Sequence, residues 1–245
     1  MTTCTEDRFL GGRIVARQPA KGFRSGLDAV MLAAAVPAGA EDNVLELGCG
    51  AAVAGLCLAA RVAGCAVTGI DREASLVVLA GENASLNAMA SRFRFVAGDA
   101  LSPPPELRKA YDHVFCNPPF HAGLGQRSRS AARAVALYDD GLLSRWIVSG
   151  LKRVRSKGTL SVVLRADRLS EALAVLPSLG ITIFPLWPSR DRPAARVILQ
   201  ARKNSRAPLG LLPGLVLHET DGRYTPEADA VLRDAGSLAL GGSTL

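Results

Sequence analysis

Histidine is scarce in this chain. The three present among 245 residues, His113, His121 and His218, share no metal-ligand spacing, so no metal centre is expected. The five cysteines, Cys4, Cys49, Cys57, Cys65 and Cys116, form no C-x-x-C pair, and their odd number leaves no complete disulfide framework. Three lie in or beside apolar segments, the pattern of reduced, buried thiols in a cytosolic protein. No apolar run approaches the length of a membrane span. The opening MTTCTEDRFLGG carries Glu6, Asp7 and Arg8 where a secretory signal needs an apolar stretch. The expectation is a soluble, cytoplasmic protein without a metal or a membrane partner. Nothing in the sequence bears on oligomeric state.

What the chain does have is apolar bulk and positive charge. Hydrophobic residues make up 49% and charged residues 21%, which excludes a disordered chain and predicts a sizeable core. The net charge is +7, most of it carried by arginine, whose planar fork matches phosphate and stacks on bases. A basic balance without a localised tail fits a polyanionic partner, and equally fits ordinary solubility charge.

Short apolar runs alternate with Ala- and Leu-rich stretches. The predicted strands are Asn43–Leu47, Ala66–Ile70, Phe93–Ala97, His113–Cys116 and Thr159–Arg165. Helices are predicted over Ala52–Ala63, Glu73–Ala90 and Ala131–Val154. Continuous apolar strands separated by helices indicate a parallel sheet covered on both faces, an α/β doubly wound fold. A helix near Leu169–Leu179 and strands Ile181–Leu186 and Arg196–Arg202 follow, the last two read as an antiparallel C-terminal hairpin. Thr225 before Pro226 marks the start of a last helix. Residues 1–245 are read as a single domain. Residues 1–40 form an extension, with a hairpin punctuated by Gly11-Gly12 and Gly22 and then a helix over Leu27–Val36.

Four motifs carry chemistry. In Val44-Leu45-Glu46-Leu47-Gly48-Cys49-Gly50-Ala51-Ala52 a strand runs into a Gly-rich turn that opens a helix, so backbone can approach a ligand closely. A dinucleotide site would place a third Gly where Val53 stands. The acid Glu46 at the strand end suits a ligand bearing an ammonium group. Asp71 ends the next strand, 21 residues after Gly50, where a carboxylate accepts from ribose hydroxyls. Gly98-Asp99 follows the third strand, and an acid there can accept from an adenine amino group.

The fourth motif is a strand followed at once by Asn117-Pro118-Pro119-Phe120. Consecutive prolines fix the backbone and remove its donors. The Asn117 side chain and the Pro118 backbone then offer two fixed carbonyl acceptors, enough to hold both hydrogens of an –NH₂ group. Phe120 supplies a flat face for a base. Positioning and electrostatics carry such a reaction, with no strong general base.

Together these motifs resemble the class I methyltransferases that act on amino nitrogens, the Asn-Pro-Pro-Tyr/Phe group. The resemblance implies a seven-stranded Rossmann-like sheet and S-adenosylmethionine as cofactor. It assigns Glu46, Gly48, Cys49 and Gly50 to the methionine part, Asp71 and Arg72 to the ribose, and Asp99 and Ala100 to the adenine. Asn117 would face both cofactor and target, with Pro118, Pro119 and Phe120 holding the target. Ala52 departs from the group, many members having Gly there; its small size predicts tolerance.

The flanks narrow the resemblance. Phe9-Leu10-Gly11-Gly12-Arg13, Gly22-Phe23-Arg24-Ser25-Gly26-Leu27-Asp28, Arg165-Ala166-Asp167-Arg168-Leu169 and Pro185-Leu186-Trp187-Pro188 are similar to the tRNA1(Val) adenine-N6 methyltransferase family. That implies methylation of the exocyclic amino group of an adenine in tRNA. By the same resemblance Gly26 and Asp28 would lie near the cofactor, although a turn and helix start explain them equally well. Phe120-His121-Ala122-Gly123 also looks like the guanine-N2 ribosomal RNA methyltransferases, and a protein glutamine amide is a third target class. Arg127, Arg129 and Arg133, just after the target motif, are candidate RNA contacts.

Overall fold

The structure is a computed structural model that describes residues 3–119, 141–176 and 180–240. Strands β1 (Cys4–Phe9) and β2 (Ile14–Pro19) pair antiparallel as a separate hairpin. The main sheet holds β3 (Asn43–Leu47), β4 (Ala66–Asp71), β5 (Phe93–Ala97), β6 (Tyr111–Cys116), β7 (Val154–Arg165), β8 (Gly180–Trp187) and β9 (Arg196–Arg202). Two short strands, β10 (Gly210–Leu211) and β11 (Leu215–Val216), both pair parallel with β8. The order β10-β8-β9-β7-β6-β3-β4-β5 makes a sheet of seven long strands with two short additions, where seven strands were expected. β3 to β7 run parallel, and β9 lies antiparallel between β7 and β8. The two short strands lie beyond the predicted hairpin on the outer side of β8.

The parallel strands are buried on both faces, so their residues sort by alternation into two cores. Val44, Phe115, Val163 and Ile198 face one core with α1 (Leu27–Ala35), α2 (Val53–Arg61), α3 (Ala74–Leu86) and α6 (Pro226–Asp234). Leu45, Leu47, Val114, Cys116, Val162 and Leu199 face the other, beneath α4 (Leu142–Arg153) and α5 (Leu169–Ala174). Thr225 caps α6 as predicted, its hydroxyl accepting from Ala228 N at 3.2 Å ahead of Pro226 at the first helical position.

β7 begins at Val154, earlier than the predicted Thr159, and its register against β6 shifts between Tyr111 and His113. Lys157-Gly158 is an irregularity inside the strand: Lys157 has φ +67°, and a Cβ on Gly158 would clash with Asp112 O. α5 stops at Ala174, short of the predicted Leu179. α4 starts at Leu142 after Gly141 at φ +66°, and the first part of the predicted 131–154 helix lies outside the described residues.

The N-terminal hairpin is tied to the rest by two side-chain amides, the buried Asn83 and the half-buried Asn87. The Asn83 Nδ2 donates to Arg17 O (2.9 Å) and to Ala51 O (3.0 Å), while its Oδ1 accepts from Arg17 N (2.8 Å). Asn87 repeats the pattern one helical turn later on Val15. α3 thereby serves β2 as a neighbouring strand would. Among the described residues no helix is long and apolar enough to cross a membrane, and no three His, Cys, Asp or Glu side chains group as metal ligands.

Candidate active site at the strand switch point

β3 has β4 on one side and β6 on the other, so the chain reverses its direction of winding there. Crevices outside the carboxyl ends of strands at such a point are where open α/β sheets bind ligands. Leu47 pairs with Cys116 in register, and the next residues, Gly48 and Asn117, leave adjacent strands at that crevice.

The turn after β3 is stitched to the end of β4. Gly48 N and Cys49 N both donate to Ile70 O, at 2.8 and 3.0 Å. Gly48 and Gly50 have φ of +69° and +52°, the left-handed region that glycine occupies freely. A Cβ at Gly50 would meet no atom within 4 Å, which leaves open space in front of that backbone. Ala52 also sits at φ +63°. The left-handed conformation costs alanine about 1–2 kcal/mol. Its fully buried methyl returns about 0.8 kcal/mol, which offsets part of that cost.

Asp71 closes the turn. Its Oδ2 accepts from Gly50 N at 2.8 Å and its Oδ1 from Glu73 N at 3.0 Å, so the carboxylate is oriented and retains lone pairs for hydroxyl donors. Arg72 beside it is exposed. Asp99 is exposed, its Oδ1 accepting from Leu101 N at 2.8 Å, and the neighbouring Ala100 is buried. Ala100 O accepts from the Ser149 hydroxyl of α4 at 2.6 Å, so the loop after β5 is pinned to that helix.

Asn117 follows β6, with Pro118 buried and Pro119 exposed. Its Oδ1 is buried and has no hydrogen-bond partner among the described residues. A buried acceptor without a donor is uncommon, and this one lies at the carboxyl end of β6, the strand paired with β3. Phe120, His121, Arg127, Arg129 and Arg133 lie outside the described residues.

The methyltransferase small domain model matches residues 26–173, which span β3 to β7 and the four motifs at the strand ends. The chain belongs to the methyltransferase small domain family. Among its relatives is a tRNA1(Val) (adenine(37)-N6)-methyltransferase of Dickeya chrysanthemi, 28% identical over 221 residues, covering 86% of this chain and 87% of that one. A protein of the same name from Aeromonas salmonicida is 27% identical, with 83% and 86% covered. A solved structure from Agrobacterium tumefaciens, described as a predicted O-methyltransferase, superposes with a TM-score of 0.72 at 26% identity, covering 86% of this chain and 98% of that one.

A member of this family uses S-adenosylmethionine, and the residues present fit it. The space before Gly50 admits a ligand, the oriented Asp71 carboxylate suits ribose hydroxyls, and the unpartnered Asn117 Oδ1 awaits a donor.

Glu46 fits in a less direct way. Alternation turns its side chain to the face of Val44 and Phe115, and its Oε2 accepts from Gly55 N at the start of α2 (3.1 Å). It is 5% exposed. Burial pushes its carboxyl well above the ordinary value of 4.5, the Gly55 amide opposes that, and the Asp71 charge adds to it. Because burial disfavours the charged form, Glu46 costs stability at neutral pH, and the cost vanishes as pH falls to about 4.5. Glu46→Gln should therefore raise the unfolding midpoint at pH 7, with a gain that shrinks on acidification. It should also weaken cofactor binding, since it removes the acid two residues before Gly48. Thermal melts across pH together with calorimetry check both; a lower midpoint at pH 7 would contradict the burial argument.

Sequence reasoning missed Trp146 of α4. A Cβ on Gly48 would stand 2.7 Å from Trp146 Cη2, so the indole lies flush against the turn, and its Nε1 is buried without a partner. A lone Trp within a helical stretch carries no sequence signal of such a role. Asp28, at the start of α1, pairs with Arg196 at 3.0 Å, and Gly26 is the residue before that helix.

Proposed function

We propose that the chain transfers the methyl group of S-adenosylmethionine to the exocyclic amino group of an adenine in tRNA. The observation that carries the reading is Asn117: a buried side-chain oxygen with no partner, at the carboxyl end of β6 and beside the cofactor turn. The cofactor supplies an electrophilic methyl; the protein's task is to hold the acceptor nitrogen with its lone pair free. Asn117 Oδ1 and the Pro118 carbonyl accept the two amino hydrogens, which fixes the base plane and leaves that lone pair unshared. A hydroxyl acceptor would bring one hydrogen to these two oxygens, so the site favours nitrogen over oxygen methylation. The names of the Dickeya and Aeromonas relatives support adenine in tRNA, and the +7 charge fits an RNA partner.

Incubation with S-adenosylmethionine and unmodified tRNA or ribosomal RNA, followed by nucleoside mass spectrometry, tests the reading. N6-methyladenosine in tRNA is expected. N2-methylguanosine in ribosomal RNA would overturn it in favour of the guanine group. The absence of any methylated nucleoside, with cofactor bound, would direct the search to protein amides.

A further inference from the structure

The arginines and lysines of this protein are not equally neutralised. Across the surface they pair with carboxylates: Arg13 with Asp234, Arg24 with Asp7, Arg155 with Asp112, Arg165 with Asp167, Arg196 with Asp28, Arg233 with Asp229. Other cations, Arg72, Arg94, Arg190 and Arg192 among them, form no ion pair among the described residues, and four of this kind share one place. Arg108, Arg145, Lys152 and Arg153 line a cleft of about 450 Å³ between α4 and the loop that follows β5. No carboxylate among the described residues forms an ion pair with any of them. Asp99 and Glu106 flank the loop, and neither is in an ion pair among the described residues.

The cleft is built by α4 and anchored on both sides. Ser144, Arg145, Val148, Ser149 and Lys152 repeat at helical spacing and form one stripe, while Leu143 and Ile147 turn into the core. Ser149 also ties the helix to Ala100, at the head of the opposite wall. That wall is Leu101, Ser102 and Pro103, with Arg108 held in place by Nε donating to Pro103 O at 2.9 Å. The Arg153 Nε is buried and has no acceptor. From Ser144 to Arg153 the stripe spans about 13 Å of helix axis, enough for more than one phosphate. Its upper end adjoins the Asp99–Ala100 loop of the site, on the same helix as Trp146.

We infer that this cleft is a phosphate-binding track that holds the backbone of the RNA substrate while its base occupies the site at Asn117. The inference rests on the proposed RNA substrate. Unpaired cations with serine hydroxyls between them are the groups that position nucleic-acid backbone, and none of them reads base identity. Four like charges in one cleft repel one another in the free protein, and each phosphate that docks relieves that repulsion and releases counterions.

The test uses the full chain and unmodified tRNA at several salt concentrations. The double variant Arg145→Ala/Lys152→Ala removes two exposed charges from the cleft; Arg190→Ala/Arg192→Ala removes two exposed charges elsewhere. For the cleft variant, the slope of log affinity against log salt should flatten by about 2, with binding weaker by roughly tenfold at moderate salt. Affinity for S-adenosylmethionine should not change, and the control should match the wild type. Arg145→Lys/Lys152→Arg should restore the slope. An unchanged slope in the cleft variant, or equal losses in both double variants, overturns the track. A wild type that binds no RNA overturns both this inference and the substrate reading. A wild type that binds tRNA along the cleft without methylating adenine overturns the substrate reading alone.

Discussion

Asn117→Ala should reduce methyl transfer by at least about a hundredfold, the scale on which removal of one positioned polar group acts in a preorganised site. The same variant should be no less stable than the wild type. Oδ1 is buried and unpartnered, so the free protein already carries its desolvation cost, about 1–3 kcal/mol for a group of this kind. Truncation removes that cost along with the group. A structural asparagine behaves the opposite way: Asn83, which makes three hydrogen bonds to Arg17 and Ala51, should lose stability when truncated. Parallel measurement of kcat/KM, unfolding midpoint and cofactor affinity separates the cases. Activity within a few-fold of wild type would remove Asn117 from the reaction, and a large fall in midpoint would make it a structural residue.

Gly48→Ala should be the most damaging single methyl in the turn after β3. Two costs coincide. At φ +69° an alanine pays about 1–2 kcal/mol for the left-handed conformation. Its Cβ would also lie 2.7 Å from Trp146 Cη2 and 3.1 Å from Cζ3, an overpacking penalty of about 1–3 kcal/mol. Together they should lower the unfolding midpoint by on the order of 10 °C in a chain of this size. Cofactor affinity should fall with it, since relieving the clash moves either the turn or the indole. Trp146→Phe added to Gly48→Ala should recover part of the stability, because the smaller ring withdraws from the new methyl and only the backbone term remains. A double variant no more stable than the single one would mean that the indole is not what Gly48 accommodates.

Much of the scaffold is legible in the sequence because its signals are local. β3, β5 and β9 begin and end at the residues expected, each a short apolar run with an abrupt polar or glycine boundary. The glycine turn, Asp71 and Asn117 could be placed for a related reason. Each lies at or just after the carboxyl end of a parallel strand, and such positions converge once the strands align. The direction of a side chain within that frame is less legible. Glu46 was read as facing the ligand; alternation sends it to the α2 side, where it meets the Gly55 amide, and which helix covers that side is a tertiary fact. The cleft cations were invisible for the same reason. Arg108 lies far along the chain from Arg145, Lys152 and Arg153, and whether a charge has a partner is decided only by packing. The basic residues that drew notice instead, Arg127, Arg129 and Arg133, stood out by clustering in sequence.

The contact between Trp146 and Gly48 also has an optical side. The chain contains two tryptophans, and Trp187 lies away from the turn on β8, its Nε1 donating to Pro213 O at 3.0 Å. Replacing Trp187 with phenylalanine would leave a single emitter, lodged against the glycine turn proposed to receive the cofactor. Its emission wavelength and its quenching by acrylamide then become a continuous, label-free gauge of cofactor occupancy. Binding could be followed on the millisecond scale of stopped flow without radioactive methyl or a coupled assay.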